Sequence, residues 1–176
     1  MILIDKIETQ ELRDQKPANR PPGPPEEVVE VEMDVYDRFQ TIRSRALPTA
    51  YILPPELEET VALLKTHGIK VEETTDAWSG EAEQFLIEAH EQRETPYQGH
   101  CLVTLEGDYE THEMEFPQGS FVVCTDQPLC ALIFHILEPE SLDGVAAWDL
   151  LTTHLEAGEA YPIVKLFGNL EMRTSQ

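Results

Sequence analysis

The sequence predicts a single α+β domain with a mixed β-sheet, one βαβ unit, an antiparallel meander and two or three helices. Alternating apolar and polar residues recur in several short segments, which is typical of half-buried strands. Apolar residues at helical spacing follow two strand-like segments, and turns containing glycine or proline separate the elements. A chain of 176 residues, 41% of them hydrophobic, is long enough for one core and short for two.

The first part of the chain has the composition of a linker. Residues 1–26 are charged, and five prolines lie between Pro17 and Pro25. Such a composition favours an extended, solvated and flexible arm. We therefore expect one globular domain over residues 27–168 and a C-terminal tail over residues 169–176.

The domain begins with strand-like patterns around one helix. Apolar residues alternate with acidic ones across residues 29–35, which predicts a half-buried strand at a sheet edge. AYIL predicts a second strand, after which Pro55 fits the first turn of a helix and Gly68 ends it. IKVEE then predicts a strand again, and the spacing fits a parallel βαβ crossover.

Three further alternating segments predict an antiparallel meander. They are AEQFLIEAH, HCLVTLE and YETHEMEF, with the turn sequences TPYQG and EGD between them. Strands joined by turns this short pair with their neighbours in sequence.

The next segment predicts the centre of the core. SFVVC is typical of a fully buried strand, and Thr125 or Asp126 is placed to cap a helix with Pro128 in its first turn. The helix sequence LCALIFHIL is apolar nearly all round, which indicates burial by its neighbours on every side.

The C-terminal part predicts one more helix and one more strand. Ser141 or Asp143 can start a helix through VAAWDLLTTHLEA, and Gly158 can end it. YPIVKLF then predicts the final strand.

The chain is strongly acidic. It has 12 Lys and Arg residues against 34 Asp and Glu residues, for a formal net charge of −22. This charge repels nucleic acid and anionic membranes, so we expect neither as a partner. No run approaches the roughly 20 apolar residues of a membrane span, and the start MILIDKIETQ lacks the pattern of a signal peptide. As written, the chain is expected to be soluble and cytoplasmic.

One motif has the spacing of a zinc site. His112 and Glu115 match H-x-x-E. In a strand, however, residues three positions apart point to opposite faces. We therefore expect His112 to be a half-buried strand histidine beside Met114 and Phe116, and we assign no metal-binding residue.

The other reactive side chains also fit structural roles. His135 interrupts an apolar helix, where a core or core-edge histidine bonded to a backbone carbonyl is expected. Cys101, Cys124 and Cys130 lie in apolar segments and are expected to be free, buried thiols. The sequence has no C-x-x-C, G-x-S-x-G, P-loop or G-x-G-x-x-G motif. We therefore assign no catalytic residue, no cofactor-binding residue and no cofactor.

Several segments together resemble a known family. They are AYILPPE, HGIKVE, YQGH, FPQGSFVV, TDQPL and ILEPES, followed by DG and Trp148. In this order they resemble the C-terminal accessory region of bacterial carboxypeptidase A-like zinc metallopeptidases, over about residues 36–166. The most specific piece is FPQGSFVVCTDQPLCALIFHILEPES.

The resemblance implies a role without chemistry of its own. In that family the catalytic zinc set lies on a separate, preceding domain, and no catalytic residue of the family matches a position in this chain. The implied role is a non-catalytic accessory domain that packs on or modulates a carboxypeptidase-like catalytic domain. Members of the resembled family are often exported, and the oligomeric state stays open.

Two alternatives belong to other functional classes. One is a stand-alone binding module for a peptide or cell-wall fragment, which a cluster of exposed aromatic residues would favour. The candidates for that cluster are Tyr36, Tyr51, Trp78, Tyr97, Tyr109 and Trp148. The other alternative is a small hydrolase built around His135, Cys124 or His112.

Overall fold

The structure is a computed structural model. It describes residues 44–151 and 154–168, together with the strand residues 4–5, 28–29 and 174–175. The chain divides into two compact units, Met1–Ser44 and Arg45–Gln176. The division into an arm, a domain and a tail stays a prediction.

The first unit contains one small antiparallel pair. Strand β1 (Ile4–Asp5) pairs with β2 (Val28–Val29), and Ile4 lies opposite Val29. The strand predicted over residues 29–35 thus begins in β2, and its remainder lies outside the described residues. Most of the predicted arm, residues 1–26, also lies outside them.

The second unit consists of a sheet and two helices. Its elements are β3 (Ala50–Leu53), α1 (Glu58–Thr66), β4 (Glu72–Thr74), β5 (Trp78–Gln92), β6 (Val103–Phe116), β7 (Phe121–Cys124), α2 (Cys130–Leu137), β8 (Val164–Leu166) and β9 (Thr174–Ser175). Within the described residues these strands form one seven-stranded sheet in the order β6-β5-β8-β3-β7-β4-β9. The predicted α+β class is confirmed.

The strand pairing differs in one respect from the mixed sheet that we expected. Every neighbouring pair in this described sheet is antiparallel. Strands β3 and β4 both pair antiparallel with β7, so they run parallel to each other on its two sides. The crossover through α1 therefore exists, but β7 occupies the place between the two parallel strands.

The helix in this crossover begins later than the sequence predicts. Pro55 lies in a turn that the Leu57 N–H closes on the Pro54 carbonyl, at 3.1 Å. Helix α1 starts only at Glu58. Its end is as predicted, because Gly68 follows with a φ of +81°, a conformation that glycine adopts without strain.

The prediction of a three-stranded meander is wrong, because the two long strands β5 and β6 occupy that part of the chain. The predicted turn EGD lies inside β6, where Gly107 pairs with Ile87 and Glu106 pairs with Ala89. Glu88 is therefore an extra residue in β5, which forms a β-bulge. A Cβ on Gly107 would lie 1.9 Å from the Leu86 carbonyl oxygen, so glycine is there for close approach and not for a turn.

The last predicted helix is also wrong over residues 141–151, which form a series of turns. The Val145 N–H donates to the Ile136 carbonyl at 2.9 Å, outside its own segment. A Cβ on Gly144 would lie 2.8 Å from that same carbonyl oxygen. Asp149 adopts a φ of +60°, which no α-helix accommodates. Tertiary hydrogen bonds thus override the helical pattern here.

Helix α2 differs from its prediction at both its start and its surface. It begins at Cys130 without a side-chain cap, because the Thr125 hydroxyl donates instead to the Pro48 carbonyl at 2.6 Å. Ile133, Ile136 and Leu137 are buried, whereas Leu129, Ala131 and His135 are exposed. The helix therefore packs through one face and is not enclosed.

Both helices pack on the same face of the sheet. Buried residues of α1 and α2 join one cluster with Tyr51 and Leu53 of β3, Phe85 of β5 and Val123 of β7. A second buried cluster, on the opposite face, contains Ala50, Ile52, Ala82, Val122, Val164 and Leu166. No helix in the described part of the chain has both the length and the apolar composition to cross a membrane.

One edge of the described sheet carries acidic side chains on both faces. Strand β6 lies at that edge. The exposed carboxylates of Glu106, Asp108 and Glu110 lie on one face of this strand, and those of Glu113 and Glu115 lie on the other. Glu113 also lies directly opposite Glu81 of β5, a like-charge pair that costs stability.

Candidate functional site

The H-x-x-E residues lie apart, as their strand position predicts, but His112 is less buried than we expected. Both His112 and Glu115 are exposed on β6. Met114 is half-buried and Phe116 is buried in the second cluster. The prediction that His112 is half-buried is therefore wrong. In the described residues, no group of three or more His, Cys, Asp or Glu side chains has the arrangement of a metal site.

His135 is also more exposed than its sequence context indicates. It lies on the outer face of α2, and its Nδ1 is 3.4 Å from the hydroxyl of Ser141. Its prediction as a core or core-edge histidine bonded to a backbone carbonyl is wrong, because α2 buries only its opposite face and His135 is exposed.

The three cysteines are free, as predicted, but the prediction that they are buried is wrong, because each is only half-buried. Burial raises the pKa of the Cys124 thiol, and the nearby carboxylates of Glu72 and Asp126 raise it further. A nucleophilic cysteine needs a lowered pKa. The environment of Cys124 thus works against a catalytic role.

The structure brings together a group of polar side chains that no local sequence pattern had joined. The Glu138 cluster consists of Glu138, Lys165, Tyr51 and Tyr109. The Lys165 ammonium lies 2.8 Å from both carboxylate oxygens of Glu138. The Tyr51 hydroxyl donates to Oε1 at 2.5 Å, and the Tyr109 hydroxyl donates to Oε2 at 3.0 Å. Four elements therefore meet at one carboxylate: β3, β6, β8 and the end of α2.

Burial determines the electrostatics of the Glu138 cluster. It lowers the pKa of the Lys165 ammonium, although the hydrogen bond with Glu138 acts in the opposite direction. It raises the pKa of the Tyr51 and Tyr109 hydroxyls, and the negative charge of Glu138 adds to the shift. The pKa of Tyr161, which is fully buried nearby, rises for the same two reasons. These tyrosines therefore stay neutral donors at physiological pH.

A second ion pair extends the cluster toward the surface. The Arg45 Nε donates to Glu140 Oε2 at 2.7 Å, and one of its terminal nitrogens donates to the Gly107 carbonyl at 3.3 Å. The hydrogen bond to Glu140 raises the pKa of the Arg45 guanidinium. Its Cζ lies 5.4 Å from the centroid of the Tyr109 ring, within cation–π range.

These contacts describe a structural tie and not a reaction centre. Three donors already occupy the Glu138 carboxylate, and the buried Lys165 is paired. The sequence contained a signal for this pair, because Lys165 is the one charge in an apolar strand and Glu138 ends an apolar helix. Buried charges of opposite sign are expected to pair. Their 27-residue separation gave no local pattern that joins them.

An open pocket lies elsewhere on the same unit. We call it the Trp148 pocket, and its volume is about 250 Å³. Trp148 lines it together with Leu63 and His67 from α1 and its end, and with Val145 and Leu150 from the irregular loop. His100 and Asp143 complete its polar lining.

Two aromatic rings lie close to Trp148, that of His100 in the lining of the pocket and that of Tyr97 beside it. The His100 ring lies edge-on to Trp148 with centroids 5.6 Å apart, and the Tyr97 ring is tilted at 6.2 Å. The Trp148 indole N–H donates to Asp143 Oδ1 at 3.0 Å. Two of the aromatic candidates named above are thus neighbours at the surface, whereas Tyr51 and Tyr109 lie in the core. Tyr36 lies outside the described residues.

Several curated proteins are similar in sequence to part of this chain. Carboxypeptidase 2 of Trichophyton equinum is 29% identical over 127 residues, which is 72% of this chain and 23% of that protein. The proteins of the same name from Trichophyton tonsurans and Trichophyton rubrum are each 28% identical over 127 residues. The chain thus spans less than a quarter of the length of the curated relatives that it matches.

The matched residues are thus similar to a part of proteins named carboxypeptidase 2. The relatives are fungal, so a bacterial assignment stays a prediction. No protein-family profile matches the chain, and no solved structure matches it.

Proposed function

We propose that this chain is a non-catalytic accessory region of a carboxypeptidase-type protein, which packs on or modulates a catalytic domain. The observation that carries the proposal is the engagement of both carboxylates in the signature ILEPES. Glu138 is bound by Lys165 and two tyrosines, and Glu140 is bound by Arg45. The segment that carries the family resemblance therefore ends in carboxylates that make tertiary contacts.

The length of the match also supports the proposal. A segment that covers 23% of a protein named carboxypeptidase leaves most of that protein for other parts. Accessory regions act through their surfaces, and this chain offers an acidic sheet edge and the Trp148 pocket as surfaces of that kind.

The first test measures chemistry in the isolated chain. The purified chain is incubated with zinc and a set of peptides, and zinc content and released C-terminal amino acids are measured. We expect neither stoichiometric zinc nor release. Zinc at one ion per chain together with C-terminal release would overturn the proposal.

The second test measures the accessory role directly. The 127-residue segment of the Trichophyton equinum relative is replaced by the matching segment of this chain, and peptide hydrolysis by the chimera is measured. We expect the chimera to retain activity. Lys165→Met, which disrupts the Glu138 cluster, should abolish that activity, whereas Glu88→Gln at an exposed position should leave it unchanged. A folded chimera without activity would count against the accessory role.

A second candidate function is a stand-alone binding module for a peptide or cell-wall fragment. The meeting of Tyr97, His100 and Trp148 beside an open pocket favours it. Binding of such fragments to the isolated chain, measured by calorimetry, tests it. The hydrolase alternative, built around His135, Cys124 or His112, has no comparable support, because burial and two carboxylates raise the pKa of the Cys124 thiol and both histidines are exposed.

A further inference from the structure

We infer that the Trp148 pocket binds an arginine side chain that a partner polypeptide presents between apolar residues. The inference goes beyond the proposed function, because it concerns the ligand of one surface pocket. It applies whether the polypeptide is part of a catalytic domain or a free peptide.

The pocket is built on two loops that hold each other in place. Tyr97 and His100 exchange two backbone hydrogen bonds, at 2.8 and 3.0 Å, across the turn Gln98–Gly99. Both turn residues have a positive φ, 53° and 92°, as a type I′ hairpin turn requires. A glutamine in this conformation costs free energy, which the surrounding contacts must offset. The tip of the β5–β6 hairpin is therefore held in one shape.

The hairpin tip is also tied to the irregular loop that carries Trp148. The Cys101 N–H donates to Asp149 Oδ2 at 3.1 Å, and the Val103 N–H donates to the Ala147 carbonyl at 2.9 Å. These bonds fix the rings of the tip against Trp148. A ligand consequently meets a preformed site, which lowers the entropic cost of binding.

The polar groups of the pocket favour a cation. The Asp143 carboxylate is exposed, and its Oδ1 accepts the Trp148 indole N–H, which fixes the plane of the indole. Its Oδ2 makes no hydrogen bond with the described residues. The faces of tryptophan rings attract cations, and a carboxylate beside such a face strengthens the preference.

The shape of the lining favours arginine among cations. Leu63, Val145 and Leu150 supply apolar surface for a methylene stem, and Leu150 is 47% exposed at the rim. A planar guanidinium can stack on an indole and still donate to a carboxylate, which an ammonium does less well. The side chains of His67 and His100 also line the pocket.

The charge of the whole chain points the same way. A net charge of −22 draws basic segments toward the surface and repels acidic ones. Asp143 disfavours an anion in the pocket. Leu142, adjacent to it, is 83% exposed and extends the apolar surface over which neighbouring residues of the partner can lie.

The probe is a blocked peptide, acetyl-Leu-Arg-Leu-amide, compared with the same peptide carrying citrulline in place of arginine. Citrulline keeps the shape of arginine and removes its charge. Calorimetry on the full chain measures both affinities. We expect the arginine peptide to bind at least about tenfold more tightly than the citrulline peptide, the size of a partly desolvated cation–π contact.

Three variants locate the site. We expect Asp143→Asn and Trp148→Ala each to weaken binding of the arginine peptide about fivefold or more, and the matched control Trp78→Phe to leave it unchanged. Circular dichroism checks folding, and Trp148→Phe, which keeps a smaller ring, serves if the alanine variant is unfolded. The chain has two tryptophans, so fluorescence of the Trp78→Phe variant reports on Trp148 alone.

Each result either supports or overturns the arginine site. Equal affinity for the two peptides, no binding of either, or binding that Asp143→Asn and the Trp148 variants leave intact would overturn the inference. Binding of a cell-wall glycan in place of the arginine peptide would also overturn it, while supporting the second candidate function. If the chimera is folded but inactive and the chain still binds the arginine peptide through Trp148, the accessory role is rejected and the proposed arginine site is retained.

Discussion

The Lys165 ammonium lies within 2.8 Å of both oxygens of the Glu138 carboxylate, inside the domain. Both side chains are almost completely buried. The pair connects strand β8 with the end of α2, and the tyrosines on β3 and β6 bind the same carboxylate. Because the desolvation of two charges offsets their attraction, the net value of such a pair is small, but the cost of separating it is large.

The first prediction follows from that asymmetry. Lys165→Met should lower the free energy of unfolding by about 3–5 kcal/mol, because it leaves Glu138 charged and buried without its cation. Glu138→Gln should be destabilising for the corresponding reason. Urea unfolding measures both, and the exposed control Glu88→Gln should change the free energy by less than about 0.5 kcal/mol.

The double variant separates pairing from packing. Lys165→Met combined with Glu138→Gln should be destabilised by less than the sum of the two single changes, since no unpaired charge remains. Additive effects would mean that the two side chains act independently, contrary to the geometry.

A second prediction concerns two glycines in the β5–β6 hairpin. Gly107→Ala should destabilise the protein by about 1–3 kcal/mol or more. The new Cβ would lie 1.9 Å from the Leu86 carbonyl oxygen, so the backbone must move. Gly80→Ala is the comparison and should cost less, since its Cβ meets the Trp78 side chain at 2.8 Å and no backbone atom is among its nearest contacts. Thermal unfolding compares the two.

The same pair of variants has a spectroscopic signature. Trp78 stacks on Phe116 with ring centroids 4.3 Å apart. In a Trp148→Phe background, Gly80→Ala should alter the fluorescence of Trp78. Gly107→Ala should mainly lower the stability of the protein. Equal destabilisation by both changes would contradict the close approach at Gly107.

A third prediction concerns alkaline pH. The pKa values of Tyr51, Tyr109 and Tyr161 are raised above their ordinary value of about 10. The native state therefore keeps protons that the unfolded chain loses, and this stabilisation is complete below about pH 10 and is lost as pH rises further. The lowered pKa of Lys165 has the opposite effect on the pH dependence. The contribution of Lys165 to stability rises with pH up to about 10.5.

The three tyrosines should dominate above about pH 10. Tyrosinate absorbance and circular dichroism, followed together during an alkaline titration, should show the ionisation of these tyrosines coinciding with unfolding. Tyr51→Phe should reduce the cooperative step. Ordinary titration of Tyr51, Tyr109 and Tyr161 in the folded protein would contradict the prediction.

A fourth prediction concerns thiol reactivity. Because burial and two carboxylates raise the pKa of Cys124, a variant that retains Cys124 and carries serine at positions 101 and 130 should react with a disulfide reagent more slowly than an unperturbed thiol at pH 7.5. The rate should approach that of a free thiol in urea. Rapid reaction of the native variant would show that the thiol is activated.

The sequence predicted what local patterns determine. SFVVC and YPIVKLF contain β7 and β8, and Gly68 follows α1 as its glycine stop. The errors arose where a distant partner decides the structure. The turn signal EGD failed because Gly107 accommodates a bulge opposite Glu88, and the final helix failed because Val145 bonds to Ile136.

The candidate sites depended even more on tertiary contacts. Glu138 and Lys165 are 27 residues apart, and Tyr51 is 87 residues from Glu138. Tyr97 and Trp148 were candidates for an aromatic cluster, but only the hairpin tip brings them together. No periodicity in the sequence encodes these distances.

The carboxylates on β6 protect the edge of the described sheet. An edge strand of 14 residues offers backbone groups to which a strand of a second copy could pair. Such pairing would bring carboxylates on the same face of the two strands to within about 5 Å, inside the Debye length of about 8 Å at physiological salt. Their repulsion opposes this pairing in dilute buffer. Near 1 M salt the Debye length falls to about 3 Å, so we expect the repulsion between two such edges to weaken as ionic strength rises.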